Sequence, residues 1–181
     1  MTGTLVEGSR VTLREYRTGD LDAVMRYAED PEVTRYLPWG PEGPEEAAAF
    51  LEHVAAESLI VPRRQYEVAV VLRDTGELIG GGRIGVLSPQ RRSGDIGYVL
   101  CRDQWGRGIG SEVARLLVGF GFESLRLHRV EATCDPANIA SRRVLEKVGM
   151  QLEGRRRDDF PVRGRWRDSL LFAILEGEWR T

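Results

Sequence analysis

The stretch DIGYVLCRDQWGRGIGSEVARLLVGFGFE, from Asp95 to Glu123, is the part of the chain from which the fold is best predicted. In its first part Ile96, Tyr98 and Leu100 occupy alternate positions, which is typical of a strand with one buried face. The glycine-rich segment Gly106–Gly110 follows. Beyond it the apolar residues fall three or four positions apart, which predicts an amphipathic helix. These residues are Ile109, Val113, Leu116, Leu117 and Phe120.

A glycine-rich turn that leads into a helix is suited to binding an anion. The backbone can approach the ligand closely, and its N–H groups and the positive end of the helix dipole favour negative charge. A dinucleotide fingerprint is excluded because Val113 stands where its last glycine would fall. A Walker loop is excluded because the only lysine is Lys147. Two interpretations of residues 106–110 remain: a phosphate-binding loop of the form x-x-G-x-G, and a glycine-rich turn that binds no ligand.

A second segment, DPANIASRRVLEKVGM from Asp135 to Met150, predicts another helix. We expect Asp135 to cap its N-terminus and Pro136 to be its first residue. Asn138 and Ser141 are three positions apart, so that they lie on one side of the helix near its start.

Together these segments resemble the GCN5-related N-acetyltransferase (GNAT) family. The sequences QWGRGIGSEVARLL and NIASRRVLEKVGM are similar in particular to the branch that acetylates ribosomal-protein N-termini (RimJ/RimL-like). The resemblance extends from about Val11 to Leu175 and includes VTLREY, VTRYLPWGP and GRWRDSLLFAIL. One departure concerns the family's loop, Q/R-x-x-G-x-G. Its first position is Trp105 here, and Gln104 lies one residue earlier.

The composition predicts a single soluble domain covering residues 1–181. Apolar residues make up 41% and charged residues 30% of the chain. We expect no membrane span, no signal peptide and a cytoplasmic location, since no long apolar run exists and the N-terminus is not basic. Cys101 and Cys134 lack metal-ligand spacing, so that no metal is expected. The net charge of −2 argues against bulk nucleic-acid binding.

The remaining periodicities predict an α/β domain with a mixed sheet of about seven strands and about four helices. The proline-rich segment 30–44 is expected to be irregular. Gly80, Gly81 and Gly82 predict a bulge or a close backbone approach in one strand. The predicted strands are 11–16, 66–72, 78–86, 95–101, 129–133, 151–156 and 166–175. This order matches the GNAT fold, in which a mostly antiparallel sheet splays between the strands that correspond to 95–101 and 129–133.

The resemblance implies that acetyl-CoA is the cosubstrate and that its pantetheine arm lies between the splayed strands. Backbone groups of Val99 and Leu100 would meet the pantetheine and the thioester carbonyl, and the amides of the glycine loop would hold the pyrophosphate. Asn138 would contact the pantetheine. The implied cofactor-binding residues are Tyr98, Val99, Leu100, Trp105, Gly106, Arg107, Gly108, Ile109, Gly110, Ser111, Asn138 and Ser141.

The resemblance also makes Ser141 the candidate proton donor to the departing thiolate. A role limited to hydrogen bonding with the helix backbone is the alternative. The general base is open among Asp95, Asp159 and Glu67, each of which is otherwise a surface acid. His128 could also serve, although a histidine between Leu127 and Arg129 is more often structural. At pH 7 deprotonating a lysine amine costs about 4.6 kcal/mol and an α-amine about 1 kcal/mol. The absence of an evident base therefore favours an α-amine or a similar amine of low pKa.

The acceptor is expected to enter opposite the cofactor, where Tyr36, Trp39 and Phe160 would supply flat walls. It would be a protein N-terminus or a small-molecule amine. An arginine-rich segment, 155–167, would either attract an acidic acceptor or form a solvated strand face. The alternative to an enzyme is a non-catalytic acyl-CoA sensor or interaction module, and an RNA-binding module is more distant. Both a monomer and a homodimer are compatible with the sequence.

Overall fold

The computed structural model describes residues 3–180, which form one eight-stranded sheet with helices on both faces. The strands are β1 (Thr4–Glu7), β2 (Val11–Glu15), β3 (Gln65–Leu72), β4 (Leu78–Ser88), β5 (Ser93–Leu100), β6 (Arg129–Cys134), β7 (Gln151–Val162) and β8 (Arg165–Leu175). Their order across the sheet is β1-β2-β3-β4-β5-β6-β8-β7. Only the β5–β6 pair is parallel among the described strands.

Two groups of helices cover the two faces of the sheet. The α-helices are α1 (Leu21–Ala28), α2 (Pro31–Thr34), α3 (Pro44–Glu57), α4 (Ile109–Glu123) and α5 (Ile139–Val148). Successive side chains of β3 point to opposite faces of the sheet and lie in two separate hydrophobic cores. Val68 and Val70 lie in the core that contains α4 and α5. Ala69 and Val71 lie in the core that contains α1 and α3. Both faces of the central strands are therefore buried, as their apolar character requires.

The mixed, mostly antiparallel GNAT-like sheet predicted from the sequence is confirmed. The described residues contain eight strands and five α-helices, where about seven and about four were expected. One addition is β1, which pairs with β2. The other is α2, which lies in the segment predicted to be irregular. Its start is stabilised by Asp30, whose side chain accepts a hydrogen bond from the Glu32 N–H at 2.9 Å.

The predicted start of α5 is wrong by three residues. Asp135 accepts a hydrogen bond from the Ala137 N–H at 2.8 Å and forms a turn, not the helix cap. The cap is Asn138, whose side-chain oxygen accepts a hydrogen bond from the Ser141 N–H at 3.0 Å. Asn138 and Ser141 are therefore held together at the first turn of α5.

The close approach predicted at the glycines of β4 is confirmed at Gly80. A Cβ atom at this position would lie 2.2 Å from the carbonyl oxygen of Val99 on β5. The predicted bulge also occurs, because the β3–β4 register shifts between Val70 and Val71. Gly80 thus lets β4 pack against the end of β5.

The sheet splays between β5 and β6, as expected. The two strands pair at only three positions, Ser93–Arg129, Gly94–Val130 and Asp95–Glu131. Beyond them β5 stays paired with β4 as far as Leu100, and β6 stays paired with β8 as far as Cys134. A wedge-shaped gap therefore opens between the carboxyl ends of β5 and β6.

Candidate active site

The glycine loop lies at the end of β5 and leads directly into α4. Gly106 and Gly108 have φ angles of 71° and 77°, in the left-handed region that favours glycine. Gly108 is the residue that precedes the first turn of α4. The free N–H groups of that turn and the positive end of the helix dipole consequently meet at the loop.

Arg10 fixes this loop from a distant part of the chain. Its guanidinium donates to the carbonyl oxygen of Arg107 at 2.8 Å and to the carboxylate of Glu112 at 2.8 Å. The same carboxylate accepts the backbone N–H of Arg10 at 2.7 Å, and these bonds contribute to a lowered pKa of Glu112 despite its partial burial. The sequence offered no signal for Arg10, because 97 positions separate it from Arg107.

The backbone of β5 presents Tyr98 and Leu100 toward the gap. The Cys101 N–H donates to the Ile79 carbonyl at 2.8 Å, and Val99 pairs with Gly81 in the same register. Since hydrogen-bonded pairs alternate in an antiparallel ladder, the N–H and C=O of Val99 point toward β4, whereas those of Tyr98 and Leu100 point toward β6. The Leu100 carbonyl accepts the indole N–H of Trp105 at 3.0 Å.

Ser141 lies beside the same strand. Its Oγ is 3.2 Å from the hydroxyl of Tyr98. Burial raises the pKa of the Tyr98 phenol to about 12, although the hydrogen bond with Ser141 lowers it. Both groups are therefore neutral near pH 7. The sequence prediction that Tyr98, Asn138 and Ser141 gather at one place agrees with this geometry.

A cavity of about 770 Å³ lies on the α1/α3 face of the sheet. It is lined by the Ile96–Val99 part of β5 and by Thr133 and Cys134 of β6, so that it reaches the gap. The three predicted acceptor-side residues, Tyr36, Trp39 and Phe160, all line it. Asp95 and Glu67 also line it, whereas Asp159, a half-buried residue of β7, is not among its lining residues.

Comparison with known proteins agrees with this architecture. The family model for the acetyltransferase (GNAT) domain matches residues 10–151. The uncharacterized N-acetyltransferase YnaD of Bacillus subtilis strain 168 is 34% identical over 170 residues, which cover 94% of this chain and 96% of that protein. The chain belongs to the GNAT family of acetyltransferases.

Other relatives of this GNAT protein include one named as a putative ribosomal acetyltransferase. YdaF of Bacillus subtilis, a putative ribosomal N-acetyltransferase, is 31% identical over 142 residues, or 76% of this chain and 75% of that protein. The solved structure of Mycobacterium smegmatis RimJ in complex with CoA-disulfide has a TM-score of 0.83 and 29% identity, covering 94% of this chain and 84% of that chain. The resemblance to the RimJ/RimL-like branch is confirmed, and the protein is an N-acetyltransferase.

A charged row crosses the floor of the GNAT cavity. Glu67 of β3 is directly opposite Arg83 of β4, and the Arg83 guanidinium forms an ion pair with Asp95 of β5. Burial raises the pKa of Glu67 to about 6, although nearby Arg83 lowers it. Burial also raises the pKa of Asp95, although the ion pair with Arg83 opposes the rise. Arg83 could not be identified from the sequence, since its position beside Glu67 and Asp95 depends on strand register.

Arg163 holds the rim of the cavity. From the turn between β7 and β8, its guanidinium donates to the carbonyl oxygens of Thr34 at 3.2 Å, Arg35 at 3.4 Å and Gly40 at 3.1 Å. These carbonyls lie on either side of the segment that carries Tyr36 and Trp39. The hairpin that carries Phe160 is thereby fastened to the loop that forms the opposite wall.

Most of the other arginines of segment 155–167 lie in ion pairs on the strand surface. Arg155 pairs with Asp168 at 2.5 Å, Arg156 with Glu131 at 3.6 Å and Arg167 with Asp135 at 2.8 Å. Much of their charge is compensated, which favours the interpretation of this segment as a solvated strand face over an attractor of acidic acceptors.

Two kinds of feature, a metal-ligand cluster and a membrane-spanning helix, are absent from residues 3–180. Within this range no group of three or more His, Cys, Asp or Glu residues is placed to hold a metal ion. No helix in it has the length and apolar character needed to cross a membrane.

Proposed function

We propose that the protein transfers the acetyl group of acetyl-CoA to a primary amine by direct attack of the amine on the thioester. The acetyl-CoA arm would lie in the gap between β5 and β6, and the amine would arrive through the cavity. One observation carries this proposal: the same cavity is lined by both splayed strands and by Tyr36, Trp39 and Phe160. The two substrates can therefore meet at the carboxyl end of β5.

The donor half of the site fits acetyl-CoA in three places. The amides from Gly106 to Ser111 would bind the pyrophosphate, whereas the Trp105 N–H already donates to the Arg102 carbonyl at 3.1 Å. Each charge-assisted hydrogen bond to the pyrophosphate is worth roughly 1.5–3 kcal/mol. The backbone groups of Tyr98 and the N–H of Leu100 would bind the pantetheine and the acetyl carbonyl oxygen, a refinement of the expectation that Val99 does so. The amide nitrogen of Asn138 remains available because its oxygen accepts the Ser141 N–H.

Ser141 would donate a proton to the sulfur as the thioester bond breaks. Its hydroxyl is oriented by Tyr98, which stays protonated at neutral pH because of its raised pKa. The N–H of Leu100 would stabilise the negative charge that develops on the acetyl oxygen. These roles divide the donor chemistry between one side chain and one backbone group.

For the acceptor, we infer an amine of low pKa, either a protein N-terminal α-amine or a small-molecule amine. At pH 7 an α-amine is deprotonated at a cost of about 1 kcal/mol, against about 4.6 kcal/mol for a lysine side chain. An α-amine therefore needs less help from a base in the cavity than a lysine side chain does. The name of YdaF, a putative ribosomal N-acetyltransferase, supports an acceptor on a ribosomal protein.

Calorimetric titration of acetyl-CoA into the protein tests the donor site. The Gly108→Glu variant should lose binding, because it places a charged side chain at a position with a φ of 77° in the loop. The control is Gly154→Glu, since a Cβ atom at Gly154 meets nothing within 4 Å. Equal binding by the wild type and Gly108→Glu would refute the loop as the pyrophosphate site.

Release of CoA then tests the acceptor class. Peptides with a free α-amine are compared with the same peptides blocked at the N-terminus and carrying a lysine. Faster turnover of the free α-amine supports the proposal. Preference for lysine would overturn it. Binding of acetyl-CoA without turnover of any amine would instead favour the acyl-CoA sensor.

A further inference from the structure

We propose that Glu67 is the general base that accepts the proton of the acceptor amine, and that Asp95 is a positioning residue that keeps Arg83 away from Glu67. This inference rests on the proposed acetyl transfer and adds the residue that the reaction requires on the acceptor side. Asp95 and Glu67 were both candidates for the base and both line the cavity, so that the two carboxylates must be compared.

The surroundings of Asp95 make it a poorer proton acceptor for a substrate than an unpaired carboxylate. One carboxylate oxygen, Oδ2, is bound by the Arg83 guanidinium. The other, Oδ1, is buried and accepts no hydrogen bond within residues 3–180. A Cβ atom built on Gly85 would lie 3.0 Å from this oxygen, so that β4 covers it closely. Arg83 therefore occupies one oxygen and β4 covers the other, which leaves Asp95 less available to an amine in the cavity.

Glu67 has the opposite surroundings. It lies in the middle of β3 and lines the cavity. Among the described residues its carboxylate forms neither a hydrogen bond nor an ion pair, although Arg83 is its direct cross-strand neighbour. The guanidinium is turned to Asp95 instead. The Glu67 carboxylate is consequently free to receive a proton on the floor of the acceptor cavity.

The charges around Glu67 make it a base near neutral pH. Burial raises its pKa to about 6, so that it is mostly ionised at pH 7 yet remains a better proton acceptor than an exposed carboxylate. Arg83, His53 and Arg63 lower the pKa, and Asp95 raises it. Arg63 is itself bound to Glu15 at 2.5 and 3.1 Å. Two hydroxyls face the same region, those of Tyr16 and Tyr27, which lie 3.1 Å apart.

The transfer then balances within the site. A new bond forms between the amine nitrogen and the acetyl carbon, and the bond from that carbon to sulfur breaks. The proton that leaves the nitrogen goes to a Glu67 carboxylate oxygen. The sulfur, which keeps the bonding electron pair, receives the proton of the Ser141 hydroxyl. The products are the N-acetylated amine and CoA. Glu67 then loses its proton to solvent and the Ser141 oxygen takes one up from solvent, so that both side chains return to their starting states.

The test compares Glu67→Gln with Asp95→Asn in the pH dependence of kcat, using a peptide with a free α-amine. Glu67→Gln should lower kcat by about 10²–10⁴-fold and remove the acidic limb, while acetyl-CoA binding by calorimetry stays unchanged. Asp95→Asn should stay active within about tenfold. Its acidic limb should move down by about one pH unit, because the released Arg83 turns to Glu67 and favours the ionised form.

The outcomes separate this inference from the proposed function. Near-wild-type kcat in Glu67→Gln, or loss of activity only in Asp95→Asn, would overturn the assignment of the base while leaving acetyl transfer intact. An acidic limb that is unmoved in Asp95→Asn would overturn the positioning role. No CoA release by the wild-type protein with any amine would overturn the proposed function itself, and the role of Glu67 with it.

Discussion

The hydroxyl of Tyr98 lies 3.2 Å from the Oγ of Ser141 and links β5 to the first turn of α5 across 43 positions of the sequence. Tyr98 faces the core between the sheet and the two helices, and its raised pKa keeps the phenol protonated. Ser141 is therefore held by two contacts, one to Tyr98 and one from its own N–H to Asn138. The fixed position of this hydroxyl beside the gap supports the proposed role of Ser141 as proton donor.

Replacing Ser141 by Ala should lower kcat by about 10²-fold and change the dissociation constant of acetyl-CoA only slightly. The reason is that the thiolate loses its proton donor while the loop that binds the pyrophosphate is intact. Steady-state kinetics and calorimetry measure the two quantities. The control is Ser124→Ala, an exposed serine at the end of α4. An unchanged kcat in Ser141→Ala would eliminate the acid role.

Replacing Arg163 by Ala should raise the KM for the acceptor by about 3- to 30-fold, with a smaller effect on acetyl-CoA. The variant loses three hydrogen bonds to the carbonyls that flank Tyr36 and Trp39, and the wall of the cavity loosens. Arg165→Ala is the matched control, because Arg165 is exposed and forms no ion pair with a described residue. Equal KM values in the two variants would contradict a role for Arg163 at the rim.

Replacing Gly80 by Ala should destabilise the fold by about 1–3 kcal/mol or more. The new methyl group would collide with the Val99 carbonyl and push β4 away from the end of β5. Urea unfolding measures the free energy, with Gly154→Ala as control because a Cβ atom there meets nothing within 4 Å. Similar stability of the two variants would show that β5 moves aside without cost.

Replacing Glu67 by Gln should stabilise the protein at high pH. The pKa of Glu67 is raised from 4.5 to about 6 in the folded state, so that folding disfavours the ionised form. Relative to the wild type, the gain should be absent below pH 4.5 and grow through pH 6 to about 2 kcal/mol above it. Unfolding curves at several pH values test this, and a gain independent of pH would indicate a cause other than ionisation.

The donor half of the site was predictable because its residues are close together in the sequence. The glycine loop and the pair Asn138 and Ser141 follow from spacing within two short segments. The orientation of Val99 was beyond sequence reasoning, since it depends on which residues of β4 and β5 form hydrogen-bonded pairs. The helix start at Ile139 was missed because Asp135 and Asn138 both have capping side chains, and Asp135 forms the preceding turn.

The acceptor half depends on contacts between distant strands. The pairing of Arg83 with Asp95 and the freedom of Glu67 follow only from the register of β3, β4 and β5. Asp159 was a reasonable candidate when β7 was expected to end at residue 156. The strand continues to Val162, and a register shift between Arg156 and Phe160 accompanies the entry of Phe160 into the cavity lining. Whether Asp159 acts in catalysis stays a prediction.

The three residue pairs that join β5 to β6 have a consequence for the cycle of the enzyme. The sheet is effectively two sheets, one of five strands and one of three, with a short seam between them. In the proposed complex, the cosubstrate arm would hydrogen-bond to Tyr98 and Leu100 and extend that seam, so that it would be part of the sheet for as long as it is bound. Departure of CoA would then break hydrogen bonds of the sheet in addition to surface contacts. The rate of product release would therefore depend on how readily the sheet opens locally.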